Sequence, residues 1–368
     1  MLIGYLYLLF FEIALGGGGK LFVYSFFSLR YFLFFTSVFL IFFLLKKIKV
    51  NREELLLFIT GIFFVFIGLF SGLFRHNDLN LILFDVQPFF YFLVFFLLIS
   101  KIFETSKTLD IFKKMTMLSA FIMSFVYIFL QLLFKFGLFS SMTFYTIFAN
   151  SSEIFFRGLD GVFFYKGFYF IAIGAIFSIF YKKYFLFLFF ILAIFLNETR
   201  GLLISTLFVS TIIYYFNSGR TYKFFLILLL PFILVVGYTV VNFVLGLRED
   251  VGESDSARFD TINYVLDSST FMTALFGNGW GSLIYNRERI EIVFLEIFYK
   301  TGFFGLISSL SFLIYAFIKA AESNFRNVYF FIVLFMYLVS LTNPFVFTPM
   351  GIITLAVCIV ALRKKYEY

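Results

Sequence analysis

The chain has 368 residues, of which 62% are hydrophobic, 25% aromatic and only 14% charged, and its formal net charge is +8. Soluble domains carry roughly 45–50% apolar and about 25% charged residues, so lipid must be the solvent for most of this chain, which excludes a cytosolic enzyme, a secreted disulfide scaffold and a disordered chain. A single Cys, Cys358, and a single His, His76, exclude an intramolecular disulfide and any Cys-cluster or multi-His metal site.

Apolar runs interrupted by charges or turn residues give twelve candidate membrane spans, at about 2–15, 24–45, 55–74, 86–100, 115–134, 166–181, 184–197, 201–216, 224–246, 291–318, 328–342 and 347–362. The first run has no basic segment before it and no small-residue cleavage site, so it is expected to be a retained helix, with Gly16–Gly19 as the turn after it. The runs 184–197 and 201–216 are separated only by Glu198, Thr199 and Arg200, which demands a tight hairpin or one long broken helix. Phe alone supplies 67 residues, and we read this as the codon bias of an AT-rich genome filling membrane helices, not as an aromatic substrate platform.

Two connections are long, 135–165 and about 247–290, and loops of that length are usually functional or disordered. In the second, SDSARFDTINYVL (Ser254–Leu266) reads as a short helix capped by Ser254 or Asp255, with Phe259, Ile262, Tyr264, Val265 and Leu266 as its apolar face. FGNGWGS (Phe276–Ser282) follows, its three alternate glycines allowing a tight backbone and close approach of a ligand. No strand precedes it, so a dinucleotide fingerprint is excluded. Trp280, the only Trp, is expected in an interfacial aromatic belt. In IEIVFLEIFYKTGFFG (Ile290–Gly305), Glu291 and Glu296 stand at the mouth of an apolar helix that Lys300, Thr301 and Gly302 break. Carboxylates there are functional candidates. Glu296 can equally pair with Lys300, and Glu291 with Arg287, each one helical turn away.

With the N-terminus inside, 17 of the 29 Lys and Arg residues fall on short cytoplasmic loops and the tail, and the remaining twelve lie outside. The bias predicts both termini in the cytoplasm, and it explains the net charge without nucleic acid. Eight of the outer twelve are Arg, including Arg157, Arg200, Arg248 and Arg258. Arginine next to spans on that side is unnecessary for topology, and it is the side chain that forks two donors onto a phosphate. The acids Glu153, Glu198 and Glu291 fall on the same side, where a solvated surface of mixed charge is the plainer alternative.

LNETRGLLISTLF (Leu196–Phe208) resembles the "SRG" helix start of O-antigen polymerases and ligases. The Arg of SARFD, then GNGWGS, then the acidic helix start leading into FLEIFYKTGFFG, is similar to the second half of that superfamily, in the same order. The landmarks cover about 150–320. Ligases carry a His at the helix start where this chain has Glu291, so the resemblance is to the O-antigen polymerase (Wzy) side. It implies an all-α polytopic membrane protein of about twelve spans, a GT-C-like glycosyltransferase forming one integral membrane domain over 1–368, with a large periplasmic loop before the tenth helix. It implies a bacterial inner-membrane location with the active site facing the periplasm. The implied substrates are undecaprenyl-diphosphate-linked oligosaccharide repeat units, the implied partner a chain-length regulator, and no cofactor or metal is implied.

That chemistry needs a clamp for the leaving diphosphate, for which Arg157, Arg200 and Arg258 are the candidates. It needs a base for the acceptor hydroxyl, for which Glu291 comes first and Glu198 second, with Arg248 as a further secondary site residue. The metal-free reading follows from arginine taking the place of a divalent cation. A flippase should show two similar halves with charges spread through the spans, and a secondary transporter should show matching breaks; the four prolines, Pro88, Pro231, Pro344 and Pro349, do not match in position.

Overall fold

The computed structural model describes residues 2–19, 23–24, 27–44, 52–149, 151–156, 161–219 and 251–363. Over these residues the protein is a predominantly helical membrane protein. Four helices are long and apolar enough to cross a bilayer, Leu55–Phe74, Leu79–Ile102, Thr105–Lys135 and Val293–Glu322, and shorter apolar helices accompany them. The helices are α1 (Leu2–Leu15), α2 (Leu29–Leu44), α3 (Arg52–Phe74), α4 (Leu79–Leu97), α5 (Thr105–Lys135), α6 (Ser141–Phe148), α7 (Tyr169–Phe180), α8 (Tyr184–Leu196), α9 (Arg200–Asn217), α10 (Val251–Asp267), α11 (Phe271–Phe276), α12 (Val293–Glu322), α13 (Val328–Val339) and α14 (Pro349–Arg363). Every apolar run read from the sequence contains a helix except 224–246, which lies outside the described residues.

Boundaries differ where polar residues are paired. The run at 86–100 belongs to a helix that begins at Leu79 and passes through Asp85 and Pro88. A carboxylate is admitted there because Lys300 neutralises it. α5 starts ten residues before its apolar run, because Asp110 pairs with Lys113 and Lys114 at distances of 3.3 and 2.7 Å along its exposed first turns.

The chain divides into two compact units. The first comprises Met1–Leu44, Leu97–Lys223 and Arg326–Phe335. Its centre is α7, buried from Tyr169 to Ser178. Small residues allow the close approach of α5 and α7: a Cβ on Gly174 would stand 2.6 Å from Cβ of Ala120. The connection 135–165 is not a bare loop. It holds α6, capped by Ser140, and an antiparallel hairpin pairing β1 (Ile154–Phe156) with β2 (Phe163–Tyr165). Glu153, read from the sequence as an outer surface acid, is 2% exposed and accepts from Gly18 N–H at 2.7 Å. Arg30 is likewise buried, bonded to Glu12 at 3.1 Å and to the Gly17 carbonyl at 2.8 Å.

The second unit comprises Leu45–Phe96, Phe224–Phe325 and Met336–Tyr368. It contains α3, α4, α10, α11, α12 and α14, with Phe64, Phe89, Trp280 and Phe347 as an aromatic centre whose rings lie 5.0–6.0 Å apart.

Candidate functional site

The site is built on a broken helix. Gly302 takes φ 67° inside α12, a conformation an L side chain rarely adopts, so the helix kinks after Thr301. The break frees carbonyls that an unbroken helix would occupy. The glycine segment supplies donors for them: Asn278 N–H bonds to Tyr299 O and Gly279 N–H to Lys300 O, both at 2.8 Å. The close approach foreseen for the glycines is therefore an approach to protein backbone. A Cβ on Gly279 would lie 2.1 Å from Gly72 N, and one on Gly277 2.2 Å from Lys300 O.

Trp280 is 4% exposed, inside the protein and not displayed in an interfacial belt. Gly68 and Gly72, one turn apart on α3, leave room for Trp280, Gly68 for its indole and Gly72 for its backbone. Trp280 N–H bonds to Gly68 O at 2.8 Å, and its indole Nε1–H to Val65 O at 3.1 Å. Asn77 Nδ2 closes the turn by donating to the carbonyls of Asn278 and Trp280.

Beneath this turn lies a buried charge network. Lys300 Nζ is bonded to both Asp85 oxygens (3.0 and 2.9 Å), to Glu296 Oε1 (3.1 Å) and to the Glu288 carbonyl (2.7 Å). Asp85 Oδ2 also accepts from Gly281 N–H at 2.9 Å, and Glu296 Oε2 from Ile290 N–H at 3.2 Å. Arg289 stacks on Phe84 with 4.8 Å between guanidinium carbon and ring centre, and it reaches to 4.0 Å from Asp85. Of the two readings open for Glu296, the ion pair with Lys300 is the one the structure contains. The cavity beside the network, bounded by Asp85, Arg289, Glu296 and Trp280, measures about 20 Å³. Ligand pockets run to roughly 300–1,000 Å³, so a sugar or diphosphate does not fit there. A larger apolar groove of about 240 Å³ runs along α3 and α4, with Phe89 as a wall common to both.

The network is joined to the pair the sequence singled out. On α10, Arg258, Thr261 and Val265 follow at three- and four-residue steps and share a face. Val265 is buried against Ile284, Ile290 and Tyr299, which turns that face toward the re-entering segment. Arg258 then bonds Glu291 with Nε at 2.8 Å and Nη2 at 2.6 Å, both onto Oε2. Glu291 takes Arg258, and not Arg287, as its partner. Both remain accessible, at 29% for the Arg258 side chain and 55% for that of Glu291. Within the proposed apolar face of α10, Val265 is buried, whereas Phe259 and Leu266 are 67% and 59% exposed. The described helix covers Val251–Asp267, so Ser254 and Asp255 lie within it and not ahead of its first turn.

Arg200 and Glu198 belong to the first unit. Glu198 takes φ 56°, which breaks the helix, and Asn197 Oδ1 accepts from Thr199 N–H at 2.9 Å, which tightens the turn. Of the two alternatives for 184–216, the structure has the tight turn, with Arg200 opening α9. Arg157 and Arg248 lie outside the described residues.

No family profile matches the chain. It is 38% identical over 359 residues to an O-antigen polymerase of Shigella flexneri, an alignment covering 95% of this chain and 91% of that protein. The chain belongs to the O-antigen polymerase family.

In this member of the O-antigen polymerase family, sequence reasoning reached Arg258, Glu291 and the Glu296–Lys300 pair but passed over Asp85 and Arg289 as their neighbours. Asp85 carried a signal, being a lone carboxylate at the edge of an apolar run. Gly68 and Gly72 carried another, as a G-x-x-x-G pattern within an apolar helix, the usual mark of close packing.

Proposed function

We propose that this chain is the glycosyltransferase that polymerises O-antigen or a related surface polysaccharide. It transfers a glycan from one undecaprenyl diphosphate onto a repeat unit held on a second carrier. We place the reaction at the periplasmic face of the inner membrane, in a fold of about twelve spans of the GT-C type with both termini cytoplasmic. Family membership supports the polymerase reading. The observation that carries the site assignment is the accessible Arg258–Glu291 pair, held where the chain re-enters an apolar helix.

In this reading Glu291 removes the proton from the acceptor hydroxyl as that oxygen attacks the anomeric carbon, and the diphosphate leaves with its bonding electrons. Arg258 neutralises the leaving group, with Arg200 and Arg157 as further clamp residues and Glu198 and Arg248 as secondary ones. The pairing supports a specific order of events. An incoming diphosphate competes with Glu291 for the Arg258 guanidinium, so binding of the donor releases the base. The reaction is metal-free because arginine supplies the positive charge. The apolar groove along α3 and α4 suits a hydrocarbon carrier, and a membrane chain-length regulator is the expected partner.

The test is Glu291→Gln in a polymerase-deletion strain, read as the glycan ladder at matched membrane levels and repeated with purified chain and lipid-linked repeat units in excess EDTA. Loss of polymer from the variant, with wild-type turnover insensitive to EDTA, is the expected result. A wild-type ladder from Glu291→Gln removes it as the base, and activity restored only by Mg²⁺ or Mn²⁺ overturns the metal-free clamp.

A further inference from the structure

An ammonium inside an apolar helix is tolerated only with partners, and Lys300 is 1% exposed. Its three donors face four acceptor atoms, three of them carboxylate oxygens and the fourth the backbone carbonyl of Glu288. Two residues further on, Ile290 N–H is held by Glu296, the carboxylate that Lys300 also binds. The segment 288–290 is thus gripped through one carbonyl and one amide, and the next residue is Glu291. The network's other arm, Asp85, holds Gly281 N–H and so reaches the glycine turn as well. The charges of Asp85, Glu296, Lys300 and Arg289 balance, and the adjoining cavity is too small for substrate. What the cluster holds is backbone: the Glu288 carbonyl and the amides of Gly281 and Ile290.

We propose that Lys300, with Asp85 and Glu296, is a positioning device that fixes the backbone of 288–290 and thereby sets the depth and direction of Glu291 and its partner Arg258. The proposal rests on the reading of Glu291 as the base. Its physical basis is that a charged group without its partner cannot stay in the apolar interior, so the network holds the segment in one arrangement. Misplacing a reacting group by about 1 Å costs on the order of 100-fold in rate.

The experiment uses full-length chain in proteoliposomes and compares the wild type with Lys300→Met, Asp85→Asn/Lys300→Met and Glu291→Gln. Three quantities are measured: the unfolding midpoint, amide exchange over 283–292 against 303–322, and kcat and KM for lipid-linked repeat units. Lys300→Met leaves Glu296 without its cation and Asp85 with only Arg289, 4.0 Å away, and lowers the midpoint. The double variant removes one of the two carboxylates and returns the cluster, now Glu296 with Arg289, to zero net charge, so it recovers part of the midpoint. Its 283–292 amides nonetheless exchange about 10-fold faster, as expected when the Glu288 carbonyl loses the ammonium that anchors the segment and local opening becomes easier. Exchange over 303–322 stays unchanged, and kcat falls about 100-fold with KM nearly constant.

A double variant with wild-type exchange over 283–292, or with wild-type kcat despite faster exchange, overturns the proposal. Should the double variant fail to reach the membrane, Glu296→Ala keeps the Asp85–Lys300 pair while removing the Glu296–Lys300 pair and the acceptor of Ile290 N–H, and the same two outcomes decide. A Glu291→Gln protein with full kcat, beside a double variant with fast exchange and low kcat, upholds the positioning of the segment while removing Glu291 as its catalytic passenger.

Discussion

Two glycines on α3 should respond to the same substitution with opposite signs. A Cβ on Gly68 would stand 2.3 Å from Nε1 of Trp280 and 2.5 Å from two further indole atoms, so Gly68→Ala must displace the ring. The displaced ring loses its bond to Val65 O, worth about 0.5–1.5 kcal/mol. It also loses its contacts with Phe64 and Phe89, at 5.4 and 6.0 Å between ring centres, each worth about 0.5–1.5 kcal/mol. At the middle of these ranges the loss is about 3 kcal/mol, against about 1 kcal/mol gained from replacing glycine by alanine in a helix. Gly68→Ala is therefore destabilising by about 2 kcal/mol. At Gly61 the nearest atom to an added Cβ is Phe312 Cζ at 3.8 Å, an ordinary contact, so the helix preference prevails. Gly61→Ala should stabilise by up to about 1 kcal/mol. Because the chain has a single Trp, its fluorescence in detergent micelles reports both effects. Gly68→Ala should shift the emission to the red and lower the unfolding midpoint, while Gly61→Ala leaves the emission in place and raises it. A Gly68→Ala protein with unshifted emission and a midpoint raised like that of Gly61→Ala refutes the packing argument.

Arg258→Lys should reduce polymer nearly as far as Arg258→Ala, because one ammonium cannot reproduce the two donors that Arg258 directs at Glu291, whereas Arg287→Ala should leave the glycan ladder unchanged. Gly302→Ala places a Cβ 2.3 Å from the Leu275 carbonyl at a φ of 67°, so it should sharply lower the amount of folded protein recovered from membranes, measured by size-exclusion profile. Lys319, bonded at 2.9 Å, holds the Glu53 carboxyl below its ordinary range. The stability this pair contributes is fully present above the ordinary carboxylate pKa and is lost as pH falls through the lower folded value. Glu53 is 52% exposed, so the difference in stability between wild type and Glu53→Gln should be under about 1 kcal/mol near neutral pH and vanish in acid, as read from midpoints across pH. Reporter fusions after residues 48, 110 and 220 should report cytoplasm, and fusions within 255–285 periplasm; a cytoplasmic signal from 255–285 overturns the sidedness of the site.

The membrane class and the helical runs were legible in the sequence because lipid imposes a simple rule: about twenty apolar residues, interrupted by charge at the ends. The landmarks around Arg258, Gly277–Gly281 and Glu291 were legible for a related reason, since polar or glycine-rich stretches stand out against so apolar a chain. Pairing within one helical turn, as of Glu296 with Lys300, was legible, but pairing between distant segments was not. Asp85 and Lys300 are 215 residues apart in sequence and 2.9 Å apart in the fold, and nothing local to either marks the other as its partner. The same holds for Trp280, whose amphipathic ring suits an interface until Gly68 leaves space for it and Val65 O takes its N–H. Composition determined which solvent surrounds the chain, because burial in lipid is a sum over residues. Only the tertiary structure decided which charges neutralise one another, because an ion's cost in an apolar medium depends on a partner within hydrogen-bond reach, and distance along the chain does not bear on that.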